Sequence, residues 1–530
     1  MTRTQNSFFN MLTALGSSLL LIALNFITRS VFIRTLGADY LGIEGVFTNV
    51  LTVLNLANLG FDTAIAYKLY KPIEIGDRQR IQVLMKLFRQ VYLAVGCVIA
   101  VLGLGLIPFL PKIARDYERI AQLGLNGVAV FLIYLFNTVA SYWFFAYKNS
   151  FVRATQKTYI LTVAGYAIAV ANSLGQILVL TLTRNFLYYL AVQIGFTILQ
   201  NLINALICDR RHPYLKEKIT QRVTKEELRE IYHDCSVLLL HRASGVVINS
   251  SDILVLSAMV GLRTVGLYSN YLIVKAQLSS LLAKLVDSVQ ASVGSLYTTG
   301  NLDWSRTAFR VVNFFTVWLF GVGAIGLAVL LDEFLSLWVG PDYVVSTWTV
   351  GGVTVSTPVA LLIGIEFYIA GQGEYCLIFR ETTAMFRHLK LRPIASIVIN
   401  LTLSILLVPR LGMAGCVVST IIAHQTTYLL VDPWVIWRRA LQMAPWGYYL
   451  RNIVYKAVTL AAGLLSWWLC SRIPLGGIPG FIIRGCVCVA APCAVFTVCY
   501  CRTMEFRFLL RTVKDLLHRY LLPGKRKDET

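Results

Sequence analysis

Three observations predict an all-α integral membrane protein that crosses the bilayer about fourteen times. Hydrophobic residues make up 57% of the 530 residues and charged residues only 14%, a balance outside the range of soluble domains. The apolar residues gather into runs of about twenty, the length that crosses a hydrocarbon core as a helix. The third observation is an internal repeat. The stretch VGLRTVGLYSNYLIVKAQLSSLLAKLVDSVQASVGSLYTTG from Val260 is echoed by LGADYLGIEGVFTNVLTVLNLANLGFDTAIAYKLYKP from Leu36. Leu36-Gly37 meets Val260-Gly261, Leu41-Gly42-Ile43 meets Val265-Gly266-Leu267, and Leu69-Tyr70 meets Leu296-Tyr297 after a small insertion. Two related halves are implied, as in transporters built from repeated lobes around a shared cavity.

Taken in order, the expected spans lie near 9–33, 40–66, 90–110, 123–147, 159–182, 186–208, 235–260, 265–289, 311–331, 344–370, 394–408, 413–431, 453–470 and 478–501. The first follows a single basic residue, Arg3, and is too long for a signal-peptide core, with no small-residue cleavage site behind it. Aromatic residues that favour the membrane interface mark several ends: Tyr188 and Tyr189, Trp338, Trp434 and Trp437, and Trp446 with Tyr448 and Tyr449. The loop 209–234 separates a six-helix lobe, 1–208, from a second, 235–440. It contains Thr224 and Glu227 at capping-box spacing for a short helix and reads as a solvated linker. Residues 441–530 add two further spans and a basic tail outside the repeat. Of 11 cysteines, five (Cys486, Cys488, Cys493, Cys499, Cys501) crowd the last span. They read as small apolar fillers, with no disulfide frame or metal site expected.

Net charge is +21, yet the basic residues sit in short loops between apolar runs, which excludes a nucleic-acid partner. With both termini inside, 36 of the 48 lysines and arginines are assigned to the cytoplasmic side, Lys284 and Lys456 near span ends among them, nine to the outside, including Arg484, and three to span interiors. That alternation predicts an even number of spans and cytoplasmic ends.

Polar residues inside the spans fall on single helical faces. Ser18, Asn25 and Arg29 share one side of the first span, and Glu44, Thr48, Asn55, Asn58 and Asp62 form a stripe on the second. Arg242, Gly245, Asn249 and Asp252 align on the seventh span, and Tyr268, Tyr271, Lys275 and Ser279 on the eighth. Intramembrane charges cost about 2.5–3.5 kcal/mol each on insertion scales and need partners or water. Arg29 and Asp252 lie in the outer part of their spans, Lys275 near the middle and Arg242 near the inner end. Such a ladder of cations suits an anionic cargo such as a pyrophosphate. Asn25, Asn249, Tyr268 and Tyr271 complete the expected cavity wall. Two alternatives stay open: Arg29 with Asp252, or Arg242 with Glu366, could pair only to hold helices together, and Glu44, Asp62, Asp252 and Glu366 could take a proton or sodium to drive transport. At equivalent places in the two copies, Tyr268 stands for Glu44 and Lys275 for Leu51. A cationic second copy is therefore expected to face an acidic, amide-rich first one.

RSVFIRTLGADYLGIEGVFTNVL, SSDILVLSAMVGLRTVGLYSNYLIV and IEFYIAGQGEYCLIFRETTAMFRHLKLRPIASIVINLTLSILLVPRLGMAGCVVSTII together resemble the bacterial polysaccharide (O-antigen) flippases. These are the Wzx-like members of the multidrug, oligosaccharidyl-lipid and polysaccharide (MOP) exporter superfamily. The resemblance runs from residue 1 to about 440 and departs at Ala384-Met385, where the family has Gly-Leu, and at the cysteine-rich last span. It implies two six-helix lobes, commonly followed by two helices, around a cationic cavity that opens alternately to either side of a bacterial inner membrane. The implied cargo is an undecaprenyl-pyrophosphate-linked oligosaccharide, a repeat unit for lipopolysaccharide or another surface polysaccharide. A proton or sodium is the expected coupling ion, and glycosyltransferases and a polysaccharide polymerase are the expected partners. No cofactor, metal or catalytic residue is expected. A cation-coupled multidrug exporter is the alternative, although such pumps favour acidic cavities and the first span offers Arg29. A membrane glycan polymerase or ligase needs a large outer loop, and a non-transporting scaffold leaves the polar stripes unexplained.

Overall fold

The computed structural model describes residues 3–55, 61–155, 158–217, 245–287, 302–345, 348–350, 353–355, 359–382, 385–389 and 391–511. The chain is a polytopic membrane protein of the all-α class, its described residues helical but for connecting loops and one short ribbon. Its principal helices are α1 (Arg3–Leu36), α2 (Ala38–Leu54), α3 (Phe61–Ile75), α4 (Arg78–Leu106), α5 (Gly127–Trp143), α6 (Thr158–Thr183) and α7 (Phe186–Arg211). They continue with α8 (Gly245–Met259), α9 (Leu262–Asp287), α10 (Leu302–Trp338), α11 (Val359–Thr382), α12 (Arg392–Leu411), α13 (Met413–Val435), α14 (Trp446–Ser471) and α15 (Gly477–Tyr500).

Twelve of the fourteen predicted spans each coincide with one of these helices over their described residues, and the second, 40–66, covers α2 and the start of α3, with 56–60 outside the described residues. Among the described residues, 10 helices are long and apolar enough to cross a membrane, and α5 and α8 are shorter apolar helices. The repeat helices α2 and α9 are not among the 10: α2 has only 17 residues, and the polar and charged residues of α9 lower its hydropathy. The tenth span differs from expectation. Its first part is a two-stranded antiparallel ribbon, Trp348–Val350 with Val353–Val355, and helix begins only at Val359. Alternating Thr and Val on either side of Gly351-Gly352 suits a hairpin better than a helix.

The chain divides into two compact units, Met1–Ser269 with Ser404–Gly412, and Asn270–Leu403 with Met413–Thr530. In the first, each copy of the repeat opens with a glycine in a conformation that L side chains rarely adopt: Gly37 has φ 93° and Gly261 φ 131°. The chain turns there between two consecutive spans. The copies then meet each other reciprocally. A Cβ on Gly42 would overlap the Leu262 carbonyl, and one on Gly266 would overlap the Ala38 carbonyl, so backbones approach as only glycine allows. At the same end the loop after α4 caps α8: Arg115 N–H donates to Ser257 O at 3.2 Å and its guanidinium to Met259 O at 2.5 Å. Those carbonyls have no partner within the helix.

In the second unit α10 packs on α11 through Gly364 and Gly371, where a Cβ would meet Ala324 O at 2.7 Å and overlap the Phe320 ring respectively. Phe309 anchors an aromatic core with Tyr375, Phe379 and Trp437, at centroid distances of 5.4, 4.7 and 5.3 Å. Trp437, expected at the interface, is thus buried, because the π turn Ile436–Ala440 after α13 swings it inward. Trp446 does lie exposed.

Candidate functional site

Of the three cations expected on a substrate wall, Arg29 and Lys275 are described, and each lies in contact with a carboxylate, one pair in each unit. In the first, Arg29 on α1 reaches Glu44 on α2 at 3.1 Å and donates a second hydrogen bond to Ser269 Oγ on α9. Tyr189 on α7 donates to the other Glu44 oxygen at 3.4 Å, and its ring rests on Phe32 at 5.0 Å. Tyr189 was expected at the interface. It turns inward because a carboxylate in the membrane needs more than one donor. The pair is not sealed: the Arg29 and Glu44 side chains are 14% and 21% exposed. Asn25, one turn before Arg29, is exposed, as is Asn249. Asp252 on α8 is buried and accepts from Ser404 Oγ at 3.1 Å.

In the second unit Lys275 on α9 meets Glu366 on α11 at 2.8 Å. Tyr271, expected beside Lys275 on the wall, is fully buried and donates to Asp332 on α10 at 2.8 Å while accepting from Val345 N–H at 3.0 Å. Tyr268 is buried too. Beyond this pair, α13 presents His424, Tyr428 and Asp432 at four-residue steps on one face. Asp432 holds Arg380 at 3.0 Å and Arg392 at 3.2 Å. The Arg392 guanidinium lies over the Tyr428 ring, 3.9 Å from its centre. Two arginines on one carboxylate leave a net buried cation.

Among the described residues, the second copy's Lys275 is paired within its own unit and the first copy's Glu44 is matched by Arg29. Burying one charge without its opposite costs more than burying the pair, so carboxylates gather on the cations. Glu366 pairs with Lys275; the alternative of Arg242 falls outside the described residues. Of Asp62, only the backbone within α3 is described. Residues 218–244, which hold the Thr224–Glu227 capping box, lie outside the described residues.

Sequence reasoning passed over Tyr189, Ser269, Asp332 and Asp432, and it counted Lys456 with a cytoplasmic loop. Asp432 had a visible signal, an acidic residue inside an apolar run just before Pro433. So did Lys456, a lysine within the predicted span 453–470.

A helical membrane chain with cation–carboxylate pairs inside each of two units has a fold already known among solved membrane proteins. The chain is similar to lipid II flippase MurJ in an inward closed conformation, with a TM-score of 0.66 over 91% of this chain and 98% of that one at 11% identity. It is also similar to an inward-facing multidrug resistance MATE family transporter of the MOP superfamily, with a TM-score of 0.54 over 80% and 95% at 14% identity. A further MATE structure in the bent conformation gives 0.52 over 80% and 94% at 13% identity. At such identities the likeness is one of fold. No protein-family model and no curated protein sequence matches the chain.

Proposed function

We propose that the chain is a Wzx-like flippase. It moves an undecaprenyl-pyrophosphate-linked oligosaccharide, a surface polysaccharide repeat unit, from the cytoplasmic to the outer leaflet of the bacterial inner membrane by alternating access. Both termini are cytoplasmic, and the six-helix lobes divide at the linker 209–234. The observation that carries this reading is coverage: the lipid II flippase is matched over 98% of its length and 91% of this chain, whereas the multidrug transporters leave about a fifth of this chain unmatched.

Arg29, Arg242 and Lys275 receive the pyrophosphate, and Asn25, Asn249, Tyr268 and Tyr271 contact the sugars or hold the neighbouring helices. Glu44 and Glu366 occupy Arg29 and Lys275 in the resting state. An incoming pyrophosphate, which carries more negative charge and more acceptor oxygens than one carboxylate, displaces them with charge-assisted bonds of its own. A carboxylate so released takes a proton or a sodium ion, as do Asp62 and Asp252, and couples the cycle to an ion gradient.

The test is thermal unfolding of the purified chain with added ligand, because a ligand of the folded state raises its apparent stability by mass action. A pyrophosphate-linked oligosaccharide lipid should raise the midpoint and an organic cation should not. Stabilisation by organic cations alone would return the reading to a multidrug exporter.

A further inference from the structure

Helices α10, α11, α13 and α14 enclose a trough that none of the proposed cargo- or ion-binding residues lines. Its long arm, about 780 Å³, is lined almost wholly by apolar side chains, among them Ile325, Ile365, Leu460 and Trp467. Leu361, Leu460, Leu464 and Trp467 along it are exposed, so the arm opens sideways on the face a membrane would cover. A second arm, about 460 Å³, continues it towards the Trp446 end of α14, and the two share Gln425 and Lys456.

The short arm is polar where the long one is not. Lys456 Nζ donates to Gln425 Oε1 at 2.9 Å, and among the described residues no carboxylate reaches it. Gln372 and Asn452 line the same arm, 1% and 7% exposed. Asn452 Oδ1 finds no hydrogen-bond partner, while the Gln372 amide lies by the Tyr368 hydroxyl. A buried acceptor left open beside an uncompensated cation calls for a ligand that supplies both a hydrogen-bond donor and negative charge. At its end the arm is rimmed by Trp434, Trp446 and Tyr449, the residues that favour lipid headgroup level. Lys456 lies ten residues into α14, about 15 Å of rise, and helical side chains lean towards the helix N-terminus, here towards that rim.

We propose that this trough binds one anionic phospholipid from the leaflet at the Trp446 end. Its phosphate lies against Lys456, its ester oxygens accept from the Gln425 amide N–H, a headgroup hydroxyl donates to Asn452 Oδ1, and its acyl chains lie along the apolar arm. The site uses neither Arg29 nor Lys275, so it stands whether or not the proposed cargo is right.

Native mass spectrometry of the full chain purified in mild detergent tests it, with lipids identified after extraction. One phosphatidylglycerol or cardiolipin per chain should survive purification. Lys456→Met should lower its occupancy at least about tenfold, the factor expected for loss of a charge-assisted contact, and Gly463→Leu should do the same by filling the apolar arm. Monodispersity of both variants at wild-type yield checks folding. As a measurement free of variants, delipidated wild type in phosphatidylcholine nanodiscs should gain thermal stability on addition of phosphatidylglycerol. No retained lipid, equal retention of phosphatidylcholine, a polyprenyl phosphate in the trough, wild-type occupancy in folded Lys456→Met, or no gain in nanodiscs would each overturn the proposal.

Discussion

Replacing Arg29 and Glu44 by Leu, singly and together, separates a residue that touches cargo from one that only holds helices. Their charges lie 3.1 Å apart, an attraction of about 5 kcal/mol at an effective dielectric near 20, before the cost of taking both ions out of water. Removing one partner strands the other. For a fully buried pair that costs about 3–5 kcal/mol. Here it is smaller, about 2–3 kcal/mol, because Glu44 keeps Tyr189, Arg29 keeps Ser269, and both side chains are partly exposed. Removing both leaves no stranded charge and should return stability to within about 1 kcal/mol of wild type. Unfolding midpoints of the purified proteins should therefore fall in each single variant and recover in the double one. Transport should not recover, because the pyrophosphate contact at Arg29 is still missing. Surface glycan at the wild-type level in the double variant, at equal protein abundance, would refute the cargo role and leave the pair as structure alone.

Three further outcomes follow from the other contacts. Asp432→Asn leaves Arg380 and Arg392 without their shared anion in a site where both are buried; it should lose about 3–5 kcal/mol and show the largest fall in unfolding midpoint of any single charge removal. Glu366→Gln should cost less, about 1–3 kcal/mol, since Lys275 is 20% exposed. It should also remove any dependence of transport on the ion gradient that runs through this carboxylate, read as flux with and without the gradient. Gly42→Leu sets a side chain against the Leu262 carbonyl, where backbone rather than a flexible side chain must yield, so monodisperse protein should be lost on size exclusion, while Gly45→Ala nearby, which meets only a Val265 methyl, should be tolerated.

Much of the architecture was legible because membranes impose one-dimensional rules. Length and hydropathy place spans without knowledge of what packs on what, and the repeat at Leu36 and Val260 foretold the glycine-opened helices α2 and α9. The ribbon at Trp348 was missed because a Val- and Thr-rich run scores as apolar whatever its period. Site residues were legible by type and face but not by partner. A helical wheel shows that Arg29 and Lys275 point away from lipid on their own helices; it cannot say which neighbouring helix brings a carboxylate to them. Glu44 lies 15 residues from Arg29 and Glu366 lies 91 from Lys275, and no local spacing encodes either. Tyr189 shows the converse, an aromatic residue whose sequence position fits the interface and whose hydroxyl is drawn inward by Glu44.

Leaflet accessibility of a lipid-linked oligosaccharide in proteoliposomes tests the central claim most directly. A pyrophosphate-linked glycan lipid is placed in both leaflets, and the outer pool is measured with a membrane-impermeant oxidant or lectin. With the wild-type chain nearly all of the glycan should become accessible over time, and with the Arg29→Leu/Glu44→Leu double variant only the initial outer pool should. Accessibility that stays at the protein-free level with folded wild type, alongside uptake or efflux of a cationic dye, would contradict the account.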